Sequence, residues 1–339
     1  MLDLVNKTPF AAALVPGLTK EGIDTVTVVV KGTFALPARG GQLRPHEEQE
    51  AILHADTHHG EPGLSSIHRE ADAYPQKKRT DLVLVGHAYA PRGATSVDVK
   101  LAVGRVEKTV RVFGDRVWHR AVSDFRPSSP VAFDRMPLRW ERAFGGVDTS
   151  DLAPEKHARE PRNPLGTGLI ADPREGRIAD VRLPNLEDPA ALITSPADRP
   201  APQGFGYVGR DFHPRAAFAG TYDAAWERDT CPLLPADFDE RYFNAAPAGL
   251  IAPRTLAGGE PVLVENASPG GPLRFEVPRR TIDVDLWIRD AKSQQTATLD
   301  SIRVEPDAQR FVAVWKVTVP CPRSLLLLHR ARIQERKAA

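Results

Sequence analysis

Thr281–Ile288 reads TIDVDLWI, and its alternation decides the fold class. Ile282, Val284, Leu286 and Ile288 occupy every second position, with Thr281, Asp283, Asp285 and Trp287 between them. A period of two places the four aliphatic side chains on one face of a pleated strand. A helix would scatter them, and the two aspartates, around its circumference. The neighbouring sequence extends the reading. Glu260–Glu265 is a short strand. Leu299–Val304 and Gln309–Val319 (QRFVAVWKVTV) read as an antiparallel pair about Glu305-Pro-Asp-Ala308. The basic tail Ser324–Lys337 reads as a final strand or a short helix.

The first third carries the same signal. Asp24–Phe34 (DTVTVVVKGTF) is β-branched, with Val26, Val28 and Val30 on one face, and Thr80–Ala90 (TDLVLVGHAYA) is a second run. Ser96–Val103 alternates cleanly. Val106–Phe113 and Arg116–Arg120 flank Gly114-Asp115, read as a two-residue hairpin turn because glycine tolerates positive φ. Between the strand blocks, residues 120–254 hold seventeen of the thirty-one prolines and thirteen of the twenty-three Phe, Trp and Tyr residues. A disordered linker would carry the prolines without the aromatics, since disorder goes with too little apolar surface to offset chain entropy. The expected fold is therefore mainly β. Antiparallel, sandwich-like blocks at 1–120 and 255–339 flank an ordered, irregular wrap at 121–254 with few short helices. The pattern is compatible with one continuous domain, and with one sandwich or two.

Composition excludes several functions. The chain has 339 residues, 41% hydrophobic and 26% charged, with 45 Lys and Arg against 44 Asp and Glu. A formal charge of +1 and the absence of a long basic run argue against nucleic-acid binding. The clusters Lys77-Lys78-Arg79 and Arg279-Arg280 read as turn and surface charges. Two cysteines, Cys231 and Cys321, in so long a chain suit a reducing compartment. Met1–Phe10 lacks the basic head and apolar block of a signal peptide, and no apolar run reaches membrane-spanning length. The expectation is a cytoplasmic protein with neither membrane nor nucleic acid as partner.

Catalytic constellations are weak. On a strand His54, Asp56 and His58 share a face, and imidazole with carboxylate suits zinc or iron, but no fourth ligand follows by spacing. Ser65 and Ser66 precede His68 without a Gly-x-Ser-x-Gly elbow and read as turn residues. Asp237, Asp239 and Glu240 could act as paired carboxylates on a sugar, but Arg241 beside them makes ion pairing the simpler reading. The glycine pairs lack the spacing of a phosphate cradle. The alternatives to a binding protein are a carbohydrate-active or metal-dependent hydrolase on a β-sandwich, and a structural subunit of a larger assembly. In an irregular segment, Arg, Asn and Trp donors can satisfy backbone carbonyls that lack sheet partners.

Landmarks along almost the whole chain resemble one bacterial family. They include Asn6-Lys-Thr-Pro-Phe10, Val30-Lys-Gly-Thr-Phe34, Gly60-Glu-Pro-Gly63, Thr80–Gly86, Val112-Phe-Gly-Asp-Arg116, Pro137–Gly146, Arg162-Asn-Pro-Leu-Gly166, Leu183–Pro189, Ala219-Gly-Thr-Tyr-Asp223 and Phe243-Asn-Ala-Ala-Pro247. The ordered set is similar to the family called domain of unknown function 2169, whose genes lie among type VI secretion loci. The family pattern has a polar Asp-Gln pair after Asn-Ala-Ala-Pro, where this chain has Ala248-Gly-Leu-Ile251, and His54, His58 and His59 fall outside it. The resemblance implies a non-enzymatic adaptor or chaperone without cofactor or metal. Its implied partners are an effector toxin, the spike tip protein and the tip's Pro-Ala-Ala-Arg repeat cap. Aromatic and Arg side chains anchor interfaces best, so the expected contacts are exposed members of the wrap: Trp140, Arg142, Phe144, Tyr222 and Trp226.

Overall fold

The computed structural model describes residues 3–37, 40–122, 124–173, 178–289, 291–322 and 324–336. Met1, Leu2 and Lys337, which end two of the segments read above, lie outside them. Fourteen strands form the two principal sheets. They are β1 (Asp3–Asn6), β2 (Ala11–Leu18), β3 (Asp24–Ala35), β4 (Arg44–Pro45), β5 (Asp81–Leu84), β6 (Ser96–Val103), β7 (Val106–Phe113), β8 (Leu186–Glu187), β9 (Pro261–Glu265), β10 (Leu273–Glu276), β11 (Ile282–Ile288), β12 (Ala291–Glu305), β13 (Arg310–Pro320) and β14 (Leu328–Glu335).

The larger sheet runs β1-β14-β11-β12-β13-β3-β2, with β4 added to β3 and β5 to β12. It is mixed, because β1 joins β14 and β5 joins β12 in parallel. The smaller sheet, β8-β7-β6-β9-β10, is antiparallel throughout. Strands from the first and last thirds of the chain are thus neighbours in both sheets. A single buried cluster takes Val28 and Phe34 from β3, Leu101 from β6, Val264 from β9 and Trp315 from β13, so the inner faces of the two sheets share one core. The chain is mainly β.

The alternation of TIDVDLWI is realised in β11. Ile282, Val284 and Leu286 are fully buried in the shared core. Its polar face is buried too, by pairing across the sheet. Asp283 takes Arg336 at 2.7 and 2.8 Å and Thr296 at 3.0 Å, while Asp285 takes Arg332 and, at 3.1 Å, Lys292. The pair Leu299–Val304 and Gln309–Val319 forms as read, in β12 and β13. The tail contributes both elements considered for it, a 3-10 turn at Leu325–Leu327 followed by β14.

Two readings of the first third are corrected. Val106–Phe113 pairs backwards with β6 through a turn at Gly104, which sits at φ +58°, and not forwards across Gly114-Asp115. The strand after Gly114, Trp118–Arg120, pairs with Phe125–Pro127 instead. Gly114 is required by a close approach, since a Cβ there would lie 1.7 Å from the Val131 carbonyl oxygen. The run Thr80–Ala90 is two strands. Asp81–Leu84 enters the large sheet, whereas His87–Tyr89 pairs with Arg135–Pro137.

Candidate partner-binding surface

The wrap holds its shape by the donor chemistry that irregular backbone demands. Trp140 begins a 3-10 turn, Trp140–Arg142, and its indole Nε1 donates to the Tyr207 carbonyl at 2.8 Å and the Gly206 carbonyl at 3.2 Å. Asn163, fully buried, donates to the carbonyls of Trp140 (2.9 Å) and Phe144 (3.0 Å). Phe144 lies in a second apolar cluster with Trp118, Ile170, Ile178, Leu183 and Ile193. Trp140 and Phe144 are therefore buried, which corrects the expectation that both are exposed: the wrap spends these rings on its own packing. Arg142 is half-buried, with Nη1 3.2 Å from Asp115 and 3.1 Å from Asn185, on a cleft of about 410 Å³.

Tyr222 and Trp226 are placed differently. A six-residue helix, Ala224–Asp229, starts where the Asp223 carboxylate accepts the Trp226 amide at 2.8 Å. Its residues are exposed, apart from the half-buried Trp226. The Tyr222 ring stands edge-on to the Trp226 ring with centroids 4.6 Å apart, and Tyr222 is 53% exposed. Trp226 Nε1 donates to the Leu233 carbonyl at 2.9 Å. Leu233 in turn lies under the turn joining β2 and β3, where Gly22 (φ +80°) leaves room that a Cβ would fill at 3.3 Å from Leu233 Cδ2. From the same turn Lys20 donates to the carbonyls of Ala236 and Phe238.

This end of the large sheet collects apolar side chains from distant parts of the chain. Leu18 and Ile23 flank the turn, and both are exposed. Asp24 accepts the Leu325 amide at 2.7 Å, which brings Leu326, 92% exposed, to the same end. A groove of about 680 Å³ runs beside the turn, lined among others by Leu18, Lys20, Gln76, Arg79, Phe238 and Phe243. Within the described residues β2 ends the strand order on this side and takes no strand on its outer edge. Leu18, Ile23 and Leu326 escaped the sequence reading because no periodicity links positions so far apart.

Beneath this region an ionic layer fastens the wrap to the outer face of the sheet. Arg215, 3% exposed, donates to Glu70 at 2.7 Å, to the Tyr242 carbonyl at 2.9 Å and to the Val208 carbonyl at 2.6 Å. Lys77 Nζ lies 3.0 Å from Glu70, 2.7 Å from Asp81 and 3.9 Å from Asp300. Asp81 also accepts Asn244 Nδ2 and the Ala245 amide, each at 2.8 Å. Lys31, fully buried on β3, pairs with Asp72 at 2.9 Å and Glu50 at 2.5 Å. Of the cluster Lys77-Lys78-Arg79, expected at the surface, Lys77 is instead buried at 5% exposed, while Lys78 and Arg79 are exposed.

The layer sets unusual protonation equilibria. Burial pushes the Glu70 carboxyl up, but Lys77 and Arg215 outweigh it and bring the pKa down to about 2. Burial would likewise lower Lys77, yet Asp81, Glu70 and Asp300 hold it well above its usual value. Asp81 lies above the ordinary range, because burial, reinforced by Glu70, exceeds the pull of Lys77 and Asn244. Since the folded pKa of Glu70 is depressed, its stabilisation is complete above the unfolded value near 4.5 and is lost as pH falls towards about 2. That shift corresponds to about 3 kcal/mol. Asp81, with a raised pKa, acts in the opposite sense and offsets part of it. Urea denaturation of the wild type between pH 5 and pH 2 should show this decline, and Glu70→Gln should flatten it. An equal decline in the variant would refute the assignment.

The other candidate residues are accounted for structurally. Asp56 is held by Arg210 through two contacts of 2.8 Å and by the Ala71 amide at 2.8 Å, while His54 is exposed. Among the described residues no three or more His, Cys, Asp or Glu side chains are arranged to hold a metal ion. Ser65 closes its own turn by accepting the Gly60 amide, and Ser66 donates to Glu141 through its amide and hydroxyl. Asp239 caps the 3-10 turn Glu240–Phe243 and pairs with Arg241 at 2.6 Å, and Asp237 accepts from Thr221. Cys231 and Cys321 are free thiols, and among the described residues no helix is long and apolar enough to cross a membrane.

Comparison with protein families matches residues 21–316 to the model described as "Uncharacterized protein conserved in bacteria (DUF2169)". Comparison with curated proteins found no match. Comparison with solved structures found none either.

Proposed function

The chain belongs to the DUF2169 family, and from that membership we propose that it is a non-enzymatic cytoplasmic adaptor. It binds a type VI secretion effector and helps load it onto the spike, meaning the tip protein and its Pro-Ala-Ala-Arg repeat cap. The observation that carries the reading is the apolar end of the large sheet, where Tyr222 and Trp226 stand with exposed Leu18, Ile23 and Leu326 beside a groove. Large aromatics set among aliphatic residues are the usual anchors of an interface. The edge of β2 that no described strand covers adds backbone donors and acceptors to which an extended client segment can pair. Arg142 extends the expected contact set on a separate cleft.

Deleting the gene should abolish delivery of one cognate effector while the secretion apparatus still fires. Unchanged delivery of every effector would sink the proposal. On the protein itself, Tyr222→Asp and Leu326→Asp should leave folding intact, because both side chains are exposed, and should lower effector co-purification at least tenfold. Undiminished co-purification by both variants would move the contact elsewhere on the molecule.

A further inference from the structure

One cleft, of about 400 Å³, plays no part in that proposal. It is lined among others by His58, His59, His68, His87, Arg139 and Glu305, on the strands Thr57–His58 and Ile67–Arg69, the strand His87–Tyr89, the segment before Trp140, and the end of β12. The His59 and His68 rings lie 4.6 Å apart. Among the described residues, the ring nitrogens of His58, His59 and His68 have no hydrogen-bond partner, and the half-buried Arg139 guanidinium has neither ion pair nor hydrogen bond.

The carboxylates of the cleft, by contrast, are already matched. Glu305 Oε1 lies 2.9 Å from Arg303 Nε and 3.4 Å from Arg69 Nε, close enough to pair although neither contact is aligned as a hydrogen bond. Asp307 accepts Tyr89 at 2.7 Å and His87 Nδ1 at 2.6 Å, with Arg135 at 3.3 Å. Arg135 also lies 2.9 Å from His87 Nδ1. The 2.6 Å contact between Nδ1 and a carboxylate requires a proton, so His87 donates to Asp307 and Arg135 serves the same carboxylate. Glu141 is taken by Ser66. The cationic donor left over is Arg139, and it faces imidazoles.

We propose that this cleft is an oxyanion site, in which Arg139 holds a carboxylate or phosphoryl group and the His59 and His68 imidazoles supply further donors. The electrostatics of the cleft agree. Burial, then Arg139, then His68 and His87 depress the His59 pKa to about 4 against the opposing pull of Glu141. His68 is lowered by burial and Arg69, with Arg303 and Arg139 assisting and Glu305 opposing. Burial is the larger cause for both rings, but the part that comes from positive neighbours is one that a bound anion relieves. Guanidinium with imidazole is the donor set suited to planar or tetrahedral oxyanions.

The test is NMR titration of the histidine ring resonances at pH 6 with sulfate, a phosphoryl analogue of constant charge, or with acetate, each against chloride at matched ionic strength. His59 and His68 should shift saturably with at least one anion, and Arg139→Gln should weaken that binding at least tenfold. Saturation by sulfate alone identifies a phosphoryl ligand, and saturation by acetate identifies a carboxylate. His59→Asn, read on the His68 resonance, should weaken binding independently of the arginine. No saturable shift beyond chloride overturns the proposal, as does wild-type affinity in either variant.

Discussion

Replacing Lys77 by methionine should cost about 3–5 kcal/mol of folding stability, the range for removing one partner of a buried ion pair. Lys77 stands among three carboxylates, Glu70, Asp81 and Asp300, all of them buried. Methionine fills much of the same volume, so the loss is of charge and not of packing. Glu70 keeps Arg215 and Asp300 keeps Lys316 at 3.3 Å. Asp81, however, is left without a cation among the described residues and must protonate or draw in water, which costs free energy. The same lysine indirectly holds the wrap, since Glu70 also binds Arg215 and Asp81 also binds Asn244 and the Ala245 amide. Lys78→Met is the control: its pair with Glu240 is exposed on both sides and is worth under about 1 kcal/mol. Guanidinium or urea denaturation of the two variants measures the contrast. Equal stabilities would mean that the layer is electrostatically slack.

The two adjacent lysines also show where the sequence stops being legible. Nothing in Lys77-Lys78-Arg79 distinguishes the first from the second, because burial is assigned by segments remote in sequence: Asp300 on β12, and Arg215, which shares Glu70 with the lysine. Where a local period carries the information, the reading holds. TIDVDLWI placed its aliphatic face in the core, and its aspartates marked a polar face, but their partners Arg332 and Arg336 could not be read from β11. Gly114 was misread for the same reason as Lys77. A glycine demanded by a turn and one demanded by a neighbouring carbonyl look alike in one dimension, and it is Val131, seventeen residues on, that decides. The wrap was visible as an ordered object because composition alone separates prolines with aromatics from prolines without them. Which aromatics face outward was not visible, since irregular backbone has no repeating face.

Trp140→Ala should destabilise the fold by about 3–5 kcal/mol, the cost of emptying a large aromatic site in a core. The ring is 5% exposed and meets Phe212 edge-on at 6.0 Å; Gly204 packs so closely that a Cβ there would sit 3.2 Å from the indole. Shape is only half of its role. Trp140→Phe keeps most of the apolar contact but deprives the carbonyls of Gly206 and Tyr207 of their donor, and should still cost about 1–3 kcal/mol. Trp226→Ala separates stability from binding, because Trp226 is half-buried beside an exposed helix and donates one hydrogen bond across the surface, to Leu233. Its loss should be felt chiefly as weaker effector capture, with stability reduced by about 1 kcal/mol. Chemical denaturation of the three variants orders them. If Trp140→Ala unfolds no more easily than Trp226→Ala, the wrap is not pinned at Trp140, and the division between a packed tryptophan and a presented one fails.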